Sequence, residues 1–493
     1  MTAPHDHGTP DALRARHGPR WRWWLLFTVM IGTMASIMSS TIVNVAIPDM
    51  SRQFTLGQER AQWVTSGFMV AMTASMLATP WLLERYGYRR TYVGATLLLL
   101  AGGIWGGLSD VYAWVLAARV AEGLAAGVLQ PIPAIIILRA FEPHEQGRAS
   151  GVFGTGVVLA PAIGPSVGGV LVDAFGWRSI FFMVVPLCLL ALWLARRYVP
   201  ITGTAPAGST AAGTRSAAGF DWRGLALVSA GVVALLNGLV LLHGGAGEAA
   251  GAALLLAVGA LLLGGFVVWQ RRLQLQHRTA LMNLSLFEHR QFAMGGIVAF
   301  IYGTALFGST YLLPVYMQLA LGLSASYVGT LMLPAGLVLA ITISIVGRLA
   351  DRQPAHLLVT LGLALLSLSF LLMLAVGLQT ALWVLVVFAT VGRIGLGFVL
   401  PSLNLGAMRG LERGLIPQGS SVINFIRTLG GSVGVSMCGI VLEWRIAARG
   451  DSLTIEASSP ARLAAFNDTF IMLAVLCALA GVAAWRLRAA PAR

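Results

Sequence analysis

Residues 154–169 read GTGVVLAPAIGPSVGG, and seven of these sixteen residues are glycine or proline inside an otherwise apolar run. In water an interior glycine costs a helix about 1 kcal/mol and an interior proline about 3 kcal/mol relative to alanine, so the stretch would be a loop. In a bilayer the balance reverses. No water is present to pair backbone N–H and C=O groups, so apolar stretches of about 20 residues become helices, and neighbouring helices re-satisfy the groups that proline frees. The rest of the chain decides which solvent this segment meets.

Of 493 residues, 57% are hydrophobic and 11% charged, with a mean hydropathy of +0.79. These values lie outside the usual range of soluble domains and indicate a polytopic, all-α membrane protein. The formal charge is +14, and every one of the 33 basic residues is arginine. No basic face interleaved with aromatic residues is present, so nucleic acid is not an expected partner. Cys188, Cys438 and Cys477 all fall in apolar segments and read as packing residues rather than a disulfide framework. The polar start carries Arg14, Arg16, Arg20 and Arg22 and runs into the first apolar segment without a small-residue cleavage site. That pattern predicts an uncleaved first span and a cytoplasmic N-terminus.

Apolar windows predict fourteen spans, near 24–48, 61–83, 91–109, 112–138, 149–172, 178–195, 222–243, 249–270, 292–320, 325–347, 356–378, 381–405, 418–442 and 467–485. With the N-terminus inside, the outer segments hold only Arg52, Arg60, Arg178, Arg445, Arg449 and Arg462, while Arg119, Arg393 and Arg427 lie within spans. The other arginines are inside, as the positive-inside rule requires, and both termini are expected to be cytoplasmic. The Gly/Ala/Ser/Thr-rich stretch 199–221 reads as a flexible linker.

An internal repeat divides the chain further. PWLLERYGYRR (80–90) pairs with GRLADRQPAH (347–356), and EGLAAGVLQP in the fourth span pairs with GRIGLGFVLP in the twelfth. Matching Glu84 to Asp351 and Arg119 to Arg393 requires nearly the same offset, which predicts two six-helix halves. The expected organisation is a tail (1–23), a first bundle (24–198), the linker (199–221), an inserted helix pair (222–270), a cytoplasmic loop (271–291), a second bundle (292–487) and a short tail (488–493).

Six motifs, in order, resemble those of the major facilitator superfamily, specifically its fourteen-span drug:proton antiporter family. They are STIVNVAIP (40–48), the RxxxGxxxG of Arg119, Gly123 and Gly127, GPSVGG (164–169), WRSIFFMVVP (177–186), LMNLSLFEHRQF (281–292) and NFIRTLGGSVG (424–434). The resemblance implies the major facilitator fold in a 6+2+6 arrangement. It also makes the opening stretch an antiporter motif of Gly156, Pro161, Gly164, Pro165, Gly168 and Gly169, a bent interface that favours exchange. Glycines four apart serve ordinary close packing equally well.

Glu84, Arg85, Gly87, Arg89 and Arg90, with Gly347, Asp351 and Arg352 in the second copy, resemble the family's cytoplasmic gate. There acid and arginine would clasp helix ends, although Pro80 stands where the family has glycine and Glu84 where it has aspartate. Positive-inside topology alone would also account for these arginines.

Charges within spans are expensive unless paired or facing a wet cavity. Arg119 and Glu122, three residues apart, share a helix face and can pair. The family's first-span motif commonly carries aspartate two residues before the threonine that is Thr41 here, and this chain has Ser39. Where the family often has glutamine, it has Glu122, so the proton site is expected to have moved to the fourth span. A static ion pair is the alternative. Met38, Ser39, Asn44, Gln130, Arg393, Asn404, Asn424 and Arg427 are expected to line a substrate cavity, though each polar one could instead bond a neighbouring helix.

The expected function is proton-coupled export, across the inner membrane, of hydrophobic or amphipathic small molecules of the multidrug type, by alternating access. A dedicated exporter of one metabolite, siderophore or fatty acid is the alternative, and Arg393 and Arg427 would suit an anion. No cofactor beyond the proton gradient is expected. There is no GxxxxGK[ST] loop for ATP, and no nucleophile or metal constellation of an enzyme. Expected partners are substrates, protons and lipid, and the motif pattern permits a periplasmic adaptor and an outer-membrane channel.

Overall fold

A computed structural model describes residues 9–55, 58–201, 219–242, 248–377, 379–450 and 460–488. Most of the expected linker, 202–218, lies outside the described residues, as do the ends of both tails. No strand occurs among the described residues, so the chain is all-α. Twelve of its helices are long and apolar enough to cross a membrane. The second and fifth expected spans are also helical but are not among those twelve.

After a short helix α1 (Pro10–His17), the first half contains α2 (Trp21–Gln53), α3 (Gln58–Met76), α4 (Thr79–Leu108), α5 (Tyr112–Leu129), α6 (Ile132–Ala140), α7 (Gln146–Phe175), α8 (Ser179–Phe182) and α9 (Val184–Tyr198). Then come α10 (Trp222–Leu241) and α11 (Ala249–Leu275), followed by α12 (Arg290–Leu319), α13 (Ala325–Ala350), α14 (Ala355–Met373), α15 (Leu382–Met408), α16 (Ile416–Ala448) and α17 (Pro460–Trp485).

Three boundaries differ from expectation, each for a reason written in backbone chemistry. The break between the second and third spans falls near residues 77–78 rather than at 84–90, because Pro80 sits in the first turn of α4, where its missing N–H costs nothing. The charged stretch is therefore helical up to Gly87, whose φ of 80° turns the chain before the helix resumes. The fourth span is divided at Gln130–Pro131 into α5 and α6, since proline cannot continue the hydrogen-bond ladder. The last span starts at Pro460 rather than 467, and its first turn includes Arg462, which is buried and donates to the Leu319 carbonyl at the end of α12 (3.0 Å).

The chain forms two compact units: residues 1–229, 268–283 and 412–422 make the first, and 230–267, 284–411 and 423–493 the second. Each is wired in the same way. In the first, α5 packs on α3, α4 and α2, and α9 packs on α2 and α4; in the second, α15 packs on α13, α14 and α12, and α17 packs on α12 and α14. The repeat seen in the sequence is thus a repeat of packing. All three cysteines are buried and free, as packing residues would be.

Candidate functional site

In the first unit the glycines of α5 decide how deep its charges lie. A Cβ on Gly123 would strike the Phe68 carbonyl of α3, and one on Gly127 the Met72 carbonyl, so the α3 and α5 backbones touch. On the other side Gly102 of α4 leaves the space that the Glu122 side chain fills, 2.7 Å from where its Cβ would stand. Arg119 and Glu122 therefore lie sealed between helices, 1% and 0% exposed.

They pair, Arg119 Nη1 to Glu122 Oε2, at 2.6 Å. The same Nη1 donates to Ser39 Oγ of α2 (2.8 Å), Nε points at the Val64 carbonyl (3.3 Å), and the guanidinium lies 4.3 Å from the centre of the Phe68 ring. Ser39 also lies within hydrogen-bonding reach of Glu122. One donor and one acceptor are left over: Arg119 Nη2 and Glu122 Oε1 are buried with no hydrogen-bond partner. A buried carboxylate with an unused oxygen is a place where a proton can be taken up, since arginine cannot give its own away.

The structure thus brings together two of the positions where the chain departs from the family pattern, Ser39 and Glu122, on one guanidinium. Phe68 and the Val64 carbonyl were not legible in advance. Nothing in the sequence marks an aromatic face or a backbone oxygen as an arginine's seat. Met38 is buried beside Ser39 on α2. Asn44 accepts from Thr65 of α3 (3.1 Å), and Gln130 donates to Met72 Sδ (3.7 Å), so both join helices within the unit.

The glycines of the opening stretch face α2. A Cβ on Gly156 would meet Met30 Sδ at 2.5 Å, one on Gly164 would meet Thr41 Oγ1 at 2.9 Å, and one on Gly168 would strike the Ile42 side chain, whereas Gly169 has open space. Pro161 is exposed on α7, and the side chain of Pro165 lies outside the described residues. The helix runs unbroken through both.

Of the residues expected at the gate, Gly87 and Arg89 hold the end of α9. Arg89 Nε donates to the Val199 carbonyl (2.7 Å), its amide to the Pro200 carbonyl (3.1 Å), and a side chain at Gly87 would collide with the Ile201 carbonyl. Arg85 and Arg90 are exposed. Glu84 is exposed too, and makes no ion pair with any described residue. Arg22 of α2 pairs instead with Glu145, which precedes α7 (2.7 Å), and Arg139 donates to the Tyr88 hydroxyl (3.1 Å). In the second unit Gly347 is in the last turn of α13, Asp351 is the residue that ends it, and Arg352 follows with its amide on the Leu349 carbonyl.

The second unit has its own arginines. Arg427 of α16 donates Nη2 to Asn424 Oδ1 (2.7 Å), and Arg393 of α15 reaches Thr310 Oγ1 at 3.4 Å. Tyr302 of α12 is within electrostatic range of both guanidinium groups, and its hydroxyl points at the Leu396 carbonyl (3.4 Å). Glycines again allow the approach: Gly303 lies against the Arg427 carbonyl and Gly430 against that of Phe300. Asn404 is half-buried on α15.

Known proteins match this arrangement. The profile of the Major Facilitator Superfamily covers residues 29–435. The chain belongs to this superfamily of membrane transporters. An uncharacterized MFS-type transporter of Mycobacterium tuberculosis is 31% identical over 86% of this chain and 71% of its own length. A multidrug resistance protein B homolog from the same organism is 29% identical, covering 89% and 80%. Among solved structures, the human organic anion transporter MFSD10 superposes with a TM-score of 0.62 over 92% of this chain and 99% of that one, at 15% identity, which shows the shared fold.

Proposed function

We propose that this transporter exports hydrophobic or amphipathic small molecules in exchange for protons, by alternating access, with Glu122 as the proton carrier. The observation that carries the proposal is the sealed Arg119–Glu122 pair with its unused carboxylate oxygen. A proton on Glu122 neutralises half of the pair, and its departure restores it, so the interior charge of the unit changes by one in each cycle. Ser39 tunes that exchange, because its hydroxyl accepts from Arg119 and can donate to the carboxylate. Relatives named for multidrug resistance support the efflux direction and substrate class.

The same proposal includes fourteen spans arranged 6+2+6, with the domain boundaries given above and α10–α11 as the inserted pair. It places the chain in the inner membrane with both termini cytoplasmic, and it needs no cofactor but the proton gradient. Gly87 and Arg89, with Glu84, Arg85, Arg90, Gly347, Asp351 and Arg352, form the cytoplasmic gate, and the α7 glycines and prolines the antiporter motif. Arg393, Arg427, Asn404 and Asn424 line the substrate path with Met38, Asn44 and Gln130. A periplasmic adaptor and outer-membrane channel are compatible partners.

The test uses inverted membrane vesicles holding a preformed pH gradient, to which cationic, neutral and anionic amphiphiles are added. The parent protein dissipates the gradient on addition of transported compounds, and Glu122→Gln does not. A Glu122→Gln protein that dissipates it like the parent overturns the assignment of the proton site.

A further inference from the structure

Two helix ends of the first unit meet at Tyr198 and bring their charges with them. Leu13 of α1 is buried in the same core as Leu25 of α2 and Leu194 of α9, so α1 is a packed part of the bundle. Gly18, with a φ of 68°, closes α1 by donating its amide to the Arg14 carbonyl (2.8 Å). Trp21 Nε1 of α2 then donates to the Tyr198 carbonyl at the end of α9 (2.9 Å). The Tyr198 ring stacks on Trp24 (5.6 Å) and tilts against His17 (5.1 Å), with the Arg197 guanidinium 6.0 Å from its centre.

These contacts crowd like charges. Arg14, Arg16, Arg20, Arg196 and Arg197 are exposed at these helix ends. Residues 13–22 hold four arginines and no acid, and no acid occurs from 174 to 220. Glu145, the acid that α2 meets here, is held by Arg22 (2.7 Å). His17 registers the field: besides its loss of hydration, Arg16 and Arg197 from two different helices hold its imidazole below the usual pKa. A folded platform that keeps cations together in this way concentrates anions around it, and guanidinium forks match phosphate oxygens.

What lies beneath the charges narrows the anion. Trp24 stands four residues after Arg20, and Trp193 of α9 stands four before Arg197, and both rings are exposed. One helical turn into a span from its terminal charges is the level at which an indole sits among lipid headgroups, with its ring toward the acyl chains. A soluble phosphate would use the guanidinium groups alone, whereas a phosphate attached to acyl chains uses the tryptophans as well.

We infer that Arg14 and Arg16 of α1, Arg196 and Arg197 of α9, and the exposed rings of Trp24 and Trp193 form a binding site for the phosphate headgroup of an anionic phospholipid. The site is distinct from Arg119 and Glu122, and it depends neither on the cargo nor on the proton coupling proposed above.

The test mixes the purified full-length protein, in dodecyl maltoside micelles, with equal amounts of phosphatidylglycerol and phosphatidylcholine of matched chains, and native mass spectrometry reads the lipid retained. The parent is expected to retain phosphatidylglycerol about tenfold or more over phosphatidylcholine, since each arginine beside a headgroup is worth about a fivefold preference. That preference falls about fivefold or more in Arg14→Gln/Arg16→Gln and in Arg196→Gln/Arg197→Gln, and it survives in Arg196→Lys/Arg197→Lys. It is unchanged in Arg271→Gln/Arg272→Gln, which removes the same charge from an exposed pair at the end of α11. Equal retention of the two lipids by the parent overturns the inference, and so does a preference that survives in both glutamine pairs of the site. A loss of the same size in the α11 variant also overturns it, because net charge alone would then explain the binding. Soluble glycerophosphoglycerol is the last arm: lipid retained in its presence supports the site, and displacement at equal concentration contradicts a lipid as the occupant.

Discussion

Helices α5 and α15 carry the paired arginines of the internal repeat, Arg119 and Arg393, in two equivalently wired units, and the two side chains have different surroundings. Arg119 is sealed, paired with Glu122 and seated on Ser39, Val64 and Phe68. Arg393 is half-buried, has Leu396 three residues on where Arg119 has Glu122, and reaches Thr310 Oγ1 at 3.4 Å. Duplication supplied one scaffold twice. Three residues after the arginine, the first unit has a buried carboxylate and the second an apolar side chain.

Removing the arginine of the closed pair has the largest expected effect. Arg119→Ala leaves Glu122 buried and uncompensated, which costs about 3–5 kcal/mol, while the double change Arg119→Ala/Glu122→Ala costs less than the two singles together. Thermal unfolding of the detergent-solubilised variants measures this, and strict additivity contradicts the pairing.

Smaller effects sharpen the account of the first unit. Arg89→Ala loses a charge-assisted bond to the Val199 carbonyl and should cost about 1.5–3 kcal/mol, whereas the exposed Arg85→Ala stays within about 0.5 kcal/mol. Equal losses would mean that Arg89 acts only through its charge. Smallest of all is the pair at the end of the glycine-rich stretch. Gly169→Ala meets open space and stays within about 0.5 kcal/mol, while Gly168→Ala drives into Ile42 and costs about 1–3 kcal/mol. Matching stabilities would show that α7 does not rest on α2 through Gly168.

The features legible in the sequence are those with local causes. Hydropathy located every long helix, and the i,i+3 spacing of Arg119 and Glu122 foretold their ion pair. The exchange of aspartate for Ser39 and the arrival of Glu122 suggest a proton site moved from the first span to the fourth, but not that both side chains meet on Arg119. The features that were not legible depend on approach between distant segments. Arg89 bonds a carbonyl 110 residues away. Tyr302 meets Leu396 across 94 residues, and the α7 glycines choose α2 among several apolar neighbours. The break expected at 84–90 falls earlier for a local reason: Pro80, which the hydropathy pattern places inside the span 61–83, starts a helix.

The most direct test of the central claim counts protons. The purified protein, in weakly buffered solution with a pH indicator, is mixed with a saturating transported substrate, and the proton release is compared with that of Glu122→Gln. The account predicts a pH-dependent release of protons from the parent and none from Glu122→Gln at equal substrate occupancy. Equal release from both proteins would contradict it and move the proton to another residue.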